Sequence, residues 1–425
     1  MFRPSSKFFP ATFTIFIVSI SACQSRLYNS EVESARSSVL VPKRPLGKEA
    51  DDLYREPNEE ANIKTITDIN VSMISTNQKR DKTTLPMRSV HTKGHACVRG
   101  VFEVDPALPA SYSVGVFQPG ARYGVWARLS NGAPGVGSDT SPSSRGLAFK
   151  LVDVESVLAA FPDVPASEKL PLLPERPALG QDFLFLNAPH FLVSNLESYI
   201  RVNAAIEHQK ALTAFFNADP KDPVFKPQEA VNLAKITLQR ISNLLSISWF
   251  GQLPYKWRDT AFKYRIDRCD RKDSNPNKRV VARGPNQLGE AVEAVLLDSD
   301  VCYSFSVILQ YDDAIQPIRD STVEWLSDDS SIALKRKLAN RQEVARLTFP
   351  KQDVTESSIA EFCEGVSFNP WNGIAAHEPL GSMGRVRKSS YLASTKTRRA
   401  NVQPVVLDKT LRQMLSSVNA YGTKR

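Results

Sequence analysis

The sequence predicts an α+β chain built on an antiparallel β-barrel or sandwich. Three observations carry this. Val98, Val101 and Val104, then Tyr112, Val114 and Val116, then Tyr123, Val125, Ala127 and Leu129 recur along the chain. The last two groups alternate strictly, which is the period of a half-buried strand. Turn residues punctuate the groups at Asp105-Pro106 and Gln118-Pro119-Gly120. Helical spacing takes over only later, across 195–249, through Leu196, Ile200 and Ala204 and again Val231, Ile236, Ile241 and Leu245. Strands first and helices grouped afterwards is an α+β order.

The first thirty residues read as an address. Arg3 and Lys7 precede an apolar stretch at 8–20. That run is of signal-peptide length and shorter than the roughly 20 residues of a spanning helix. It ends Ile20-Ser21-Ala22-Cys23, which resembles a bacterial lipobox. Residues 1–22 are therefore expected to be removed, with Cys23 taking the lipid. Gln24 favours the periplasmic face of the outer membrane; an ordinary signal peptide on a secreted or periplasmic protein is the alternative. Residues 23–80 are polar and charge-mixed and read as a tether and irregular lead-in. Residues 81–400 form the expected folded domain, and 401–425 a C-terminal tail. Within the domain, 147–152 and 183–186 add two strands. Five prolines across 162–177 mark a surface insertion. Strands return at 302–310 and 344–349, and a last helix covers 384–400.

Composition removes several classes of function. The chain has 425 residues, with 54 Lys+Arg against 45 Asp+Glu and a net charge of +9. Loss of Arg3 and Lys7 with the signal segment leaves +7. His91 and His95 are the one H-x-x-x-H pair, and no Glu completes a zincin helix. The five cysteines never reach C-x-x-C spacing, which argues against zinc ribbons and iron–sulfur clusters. Neither a phosphate-binding loop nor a G-x-S-x-G elbow occurs. With Cys23 lipidated, Cys97, Cys269, Cys302 and Cys363 allow three disulfide pairings or free buried thiols. Charge alone could suggest a nucleic-acid binder. The lipobox and the thin interleaving of aromatic with basic residues argue for no nucleic acid.

Three separated segments carry chemistry. They are Met87-Arg88-Ser89-Val90-His91-Thr92-Lys93-Gly94, then Ala127-Arg128-Leu129-Ser130 with Ser144-Arg145-Gly146-Leu147-Ala148-Phe149-Lys150, then Arg387-Lys388-Ser389-Ser390-Tyr391. Between them stands Asp182-Phe183-Leu184-Phe185-Leu186-Asn187-Ala188-Pro189-His190-Phe191. In this order the segments resemble the haem catalase superfamily over roughly 85–400. Gln316-Pro317-Ile318 through Trp325, and Phe368-Asn369-Pro370-Trp371 through Gly381, are similar to its shorter catalase-related members. The resemblance implies a catalase-like antiparallel β-barrel with a helical region packed around it, and haem b as the iron cofactor. It implies an oxidoreductase that decomposes hydrogen peroxide or organic hydroperoxides. The alternative is a non-catalytic haem-binding or scaffold lipoprotein. Its expected partners are the peroxide and a membrane reached through the lipid, with room for a homo-oligomer. Val90 precedes His91 as in catalases, where allene oxide synthases place Thr. Leu392-Ala393-Ser394 follows Tyr391, where the family has a His-Arg-rich stretch.

The residue chemistry agrees with this assignment. Cleavage of a peroxide needs a base that moves a proton between its two oxygens, and imidazole suits that task. His91, in a strand before Lys93-Gly94, is expected in this role, with Ser130 on its far ring nitrogen. Tyr391 is the expected iron ligand, and must be deprotonated to serve. Arg387 lies four residues earlier, on the same helical face, where its permanent charge can hold the phenolate. The competing reading is a basic surface, because six cations fall in 385–399 without an acid. Arg88 and Arg128 match positions that pair with haem propionates, and Phe191 matches an aromatic near the haem plane. Alignment on Pro189 places Leu186 where the family carries its distal amide. Asn187 supplies that amide if the strand is bulged by one residue.

Overall fold

A computed structural model describes residues 45–173, 180–208, 227–269, 284–325 and 341–399. The expected signal segment, Cys23 and the tail at 401–425 lie outside them. The strands are β1 Gly94–Val104, β2 Arg122–Asn131, β3 Arg145–Val152, β4 Gly180–Leu186, β5 Trp249–Phe250, β6 Tyr255–Trp257, β7 Thr260–Arg268, β8 Val301–Leu309 and β9 Arg341–Phe349. All pair antiparallel. Pairing runs from β1 through β2, β3, β4, β5, β7, β8 and β9 back to β1, so eight strands close a barrel. β6 adds to β7 outside that ring.

Side-chain alternation decides what the barrel encloses. Tyr123, Val125, Ala127 and Leu129 of β2 join the main core, together with Phe149 of β3 and Phe183 of β4. Phe305 of β8 meets Phe183 at 5.2 Å and Tyr264 of β7 at 5.7 Å between ring centroids. The interior is filled by aromatic packing. Trp126, Arg128 and Ser130 occupy the opposite register of β2, outside the barrel. Any site built on them must lie between the barrel wall and its helices.

Two expected features differ. Tyr112, Val114 and Val116 alternate like a strand, yet Ala110–Tyr112 is a 3₁₀ turn followed by loop. The backbone there is satisfied by turn hydrogen bonds and by side chains instead of a ladder. Val116 N donates to His377 Nε2 at 3.2 Å, and Tyr123 Oη donates to Val116 O at 2.9 Å. Gly115 at φ +54° makes the bend, and a Cβ there would lie 2.4 Å from His377 Nε2.

The polar stretch read as an irregular lead-in is the second difference. It forms α1 Gly47–Leu53 and the 23-residue α2 Glu59–Asp81. Glu59 and Glu60 at the start of α2 and Lys79 and Arg80 at its end complement the helix dipole. Its buried stripe is Ile66, Asn70, Met73, Ile74 and Asn77, a helical period with asparagine at two core positions. The remaining helices are α3 Val154–Ala159, α4 Leu196–Glu207, α5 Pro227–Thr237, α6 Gln287–Leu296, α7 Ser357–Gly365 and α8 Ser382–Arg399. α2 packs on both α4 and α8. The cysteines pair as Cys97–Cys363, tying β1 to α7, and Cys269–Cys302.

Buried histidines, His377 and His190 among them, give the fold an acid limit. His377 is fully buried against Phe117, Trp257 and Phe262, and burial depresses its pKa to about 3. His190 is depressed to about 4, by burial and then by Lys235. The unfolded chain binds protons at both imidazoles below about pH 6.5, whereas the native chain refuses them. Stability is therefore lost as pH falls from 6.5 toward 4, by about 2 kcal/mol per histidine at pH 5. Denaturant unfolding at pH 7.5 and 5.0 checks this. A His377→Gln variant should show the smaller drop, and equal drops would count against it.

Candidate functional site

The site begins in the bend that precedes β1. His91 was expected in a strand, but β1 starts at Gly94, and His91 has φ +56°. That left-handed conformation costs a non-glycine residue about 1 kcal/mol or more and must be held by its surroundings. His91 N donates to Gly132 O at 3.3 Å. Arg128 Nη1 donates to His91 O at 2.9 Å, and Arg128 Nη2 to Thr92 O at 3.1 Å. From α2, Asn77 Nδ2 donates to Ser89 O at 2.8 Å and Arg88 O at 3.1 Å. The buried asparagines of α2 therefore brace the loop that carries the imidazole.

The ring itself is set from the barrel wall. His91 Nδ1 lies 3.0 Å from Ser130 Oγ. Gly146 stands directly across the β2–β3 ladder from Ser130. A Cβ at Gly146 would lie 2.5 Å from His91 Cε1 and 2.6 Å from Nδ1. Only glycine leaves the ring its place. Burial, then the charges of Arg128, Arg387 and Arg88, depress the His91 pKa to about 3. The imidazole is thus neutral across the physiological range.

Tyr391 and Arg387 lie one turn apart on α8, and Arg387 Nη2 donates to Tyr391 Oη at 3.2 Å. No carboxylate pairs with Arg387 among the described residues. Burial opposes its charge, but the neighbouring phenols of Tyr391 and Tyr255 hold its pKa above the usual arginine value. The basic run of α8 is therefore not a solvated face. Arg385 is drawn off to Asp51 and to Glu59, the latter at 2.8 Å. Arg398 and Arg399 donate to the carbonyls of Glu364 and Gly365.

One cavity of about 480 Å³ brings these groups together. His91, Ser130, Arg88, Arg128, Arg387 and Tyr391 all line it, and so does Phe191. Its remaining walls are largely apolar, with Leu147, Leu184, Leu186, Leu233 and Ile236 among them. Asn187 is a correction. Its Oδ1 accepts from Arg145 N at 2.8 Å, while its Nδ2 donates to Ile236 O at 2.8 Å and Gln239 Oε1 at 3.1 Å. Both ends of the amide are committed to backbone and helix, and it does not line the cavity. Leu186 does, because β4 runs through without a bulge and its alternation points residue 186 to the site.

Two site residues escaped the sequence reading. Arg398 lines the cavity seven residues beyond Tyr391, two turns along the same face of α8, so helical spacing could have found it. Glu364 carried no local signal. Its Oε1 accepts from Arg128 Nε at 3.1 Å and Nη2 at 2.8 Å, and its Oε2 accepts from Arg88. Three guanidinium groups thus face the cavity edge with one carboxylate between them. Arg398 Nε is buried and makes no hydrogen bond. Such a set is chemically ready for an anionic, carboxylate-bearing group.

No family model and no curated protein matches the chain. Among solved structures it is similar to a fungal catalase, with a TM-score of 0.54 and 13% identity over 77% of this chain and 62% of that one. It is also similar to a bacterial catalase, at a TM-score of 0.52 and 15% identity, over 78% of this chain and 61% of that one. The chain spans about three fifths of the length of those structures. The likeness is one of fold: the closed eight-stranded antiparallel barrel with its eight described helices is catalase-like.

Proposed function

We propose that this chain binds haem in the cavity and uses it to decompose hydrogen peroxide or organic hydroperoxides. The observation that carries the reading is a braced neutral imidazole and an arginine-paired phenol lining one largely apolar cavity. The residues fit the group. The phenol of Tyr391 suits ferric iron, and Arg387 has a charge that a phenolate would answer. Arg88, Arg128 and the under-satisfied Arg398 suit its two carboxylates.

Bound haem supplies the iron on which an O–O bond is broken. The chain supplies the rest. With Ser130 Oγ accepting from His91 Nδ1–H, His91 Nε2 is the free base that takes the proton of a bound peroxide and returns it to the departing oxygen. Phe191 and the leucines give the imidazole apolar neighbours and leave it as the principal acid–base group. The committed amide of Asn187 favours a second reading, a haem-holding protein without turnover. A lipid at Cys23 would put the protein at a bacterial envelope membrane, and the two disulfides support an oxidising compartment.

The test is one titration of purified protein with haem. A saturable Soret band at one haem per chain is expected, and its absence would overturn the proposal. Oxygen release from hydrogen peroxide, or consumption of cumene hydroperoxide with an added phenolic reductant, then separates catalysis from storage.

A further inference from the structure

The carboxylate of Glu364, which does not itself line the cavity, engages two of the arginines that do. Each of its oxygens takes one guanidinium, Oε1 from Arg128 and Oε2 from Arg88. Burial pushes its carboxyl up, and the charges of Arg128 and Arg88 more than reverse that, so the group is ionised. Its side chain is nevertheless 41% exposed, whereas Arg128 is 4% and Arg88 13% exposed. The anion is the most exposed member of the set.

The cations are also held by groups that do not move with Glu364. Arg88 Nη2 donates to Cys363 O at 3.0 Å and Val366 O at 2.8 Å, and Arg398 Nη1 donates to Glu364 O at 2.9 Å. These are the unpaired carbonyls at the C-terminal end of α7, which attract cations. The Cys97–Cys363 disulfide fixes that end of α7 to β1. Arg128 is fixed independently by the carbonyls of His91 and Thr92. Removing the Glu364 carboxylate would leave the guanidinium groups in place and under-neutralised.

We propose that Glu364 is a stand-in carboxylate, which neutralises Arg88 and Arg128 in the free chain and is replaced by a porphyrin carboxylate on loading. This rests on haem as the bound group. The site then has a built-in competitor. It sets one negative charge against Arg88 and Arg128 in the free protein, and it sets the affinity at which a dicarboxylate porphyrin is taken up. A porphyrin without free carboxylates would bind beside Glu364 and leave it in place.

The test titrates apo-protein with haem and with haem dimethyl ester, followed by Soret absorbance, for wild type and Glu364→Gln. Loss of the competitor is expected to tighten haem binding about tenfold, the scale of a charge-assisted hydrogen bond at a partly exposed site. Affinity for the ester should be unchanged. Glu364→Asp, which keeps the charge but shortens its reach, should tighten haem by less and guards against a folding artefact in the Gln variant. Equal or weaker haem binding by Glu364→Gln would overturn the proposal, as would an equal gain for the ester. If wild type and variants all fail to take up haem, the haem reading falls and this proposal with it. Uptake by wild type without tightening overturns the proposal alone.

Discussion

Tyr391→Phe is expected to abolish retention of haem through gel filtration while leaving the chain folded. The substitution removes one oxygen atom. Tyr391 is only half-buried, and its one side-chain hydrogen bond among the described residues is the 3.2 Å contact from Arg387. The loss to folding is therefore small, about 1 kcal/mol for one such bond. The loss to binding is the whole iron–ligand contact, because the other phenol that lines the cavity, Tyr199 on α4, is held protonated by its burial. Arg387→Gln should act through the same atom. Without the cation the phenol binds iron less readily, and haem affinity should fall about 10- to 100-fold, as for other groups that tune a metal ligand. The two variants together distinguish a ligand from a packing residue. A Tyr391→Phe protein that keeps haem with an unaltered spectrum would remove Tyr391 from the role.

Much of the barrel was legible because its strands obey a period that sequence displays. The groups at 123–129, 147–152 and 302–310 alternate core and exterior, and they fall in β2, β3 and β8. β7 shows the same alternation, with Phe262, Tyr264 and Ile266 inward and Lys263, Arg265 and Asp267 outward. That alternation is as strict as in β2, so β7 was legible in the sequence and was passed over. α2 was missed for a different reason. Its buried face contains Asn70 and Asn77, which serve the site loop, so the helix looks polar all round. The three chemical segments were legible as local strings. Glu364 was not, since it meets Arg128 across 236 residues and no motif announces it. The misplacement of Asn187 has a similar cause, because side-chain direction on β4 depends on register against β3.

His91→Ala should keep haem and lose peroxide turnover by about 10²- to 10⁴-fold, the range contributed by a positioned acid–base group. Gly146→Ala gives the sharper version of the same claim. Gly146 sits in regular strand, so alanine meets no backbone strain, and the fold should hold. Its methyl, however, would lie 2.5 Å from His91 Cε1 and 3.1 Å from Ser130 Oγ. The ring must move by roughly 1 Å, a displacement that costs about 10²-fold when it misaligns a reacting group. Haem affinity should stay near wild type in Gly146→Ala, because neither Tyr391 nor Arg387 touches that wall. The imidazole should remain neutral in both free protein and variant, so the loss should be flat from pH 5 to 8. A Gly146→Ala protein with undiminished turnover would show that the His91 ring is not held for proton transfer, whatever else the cavity binds.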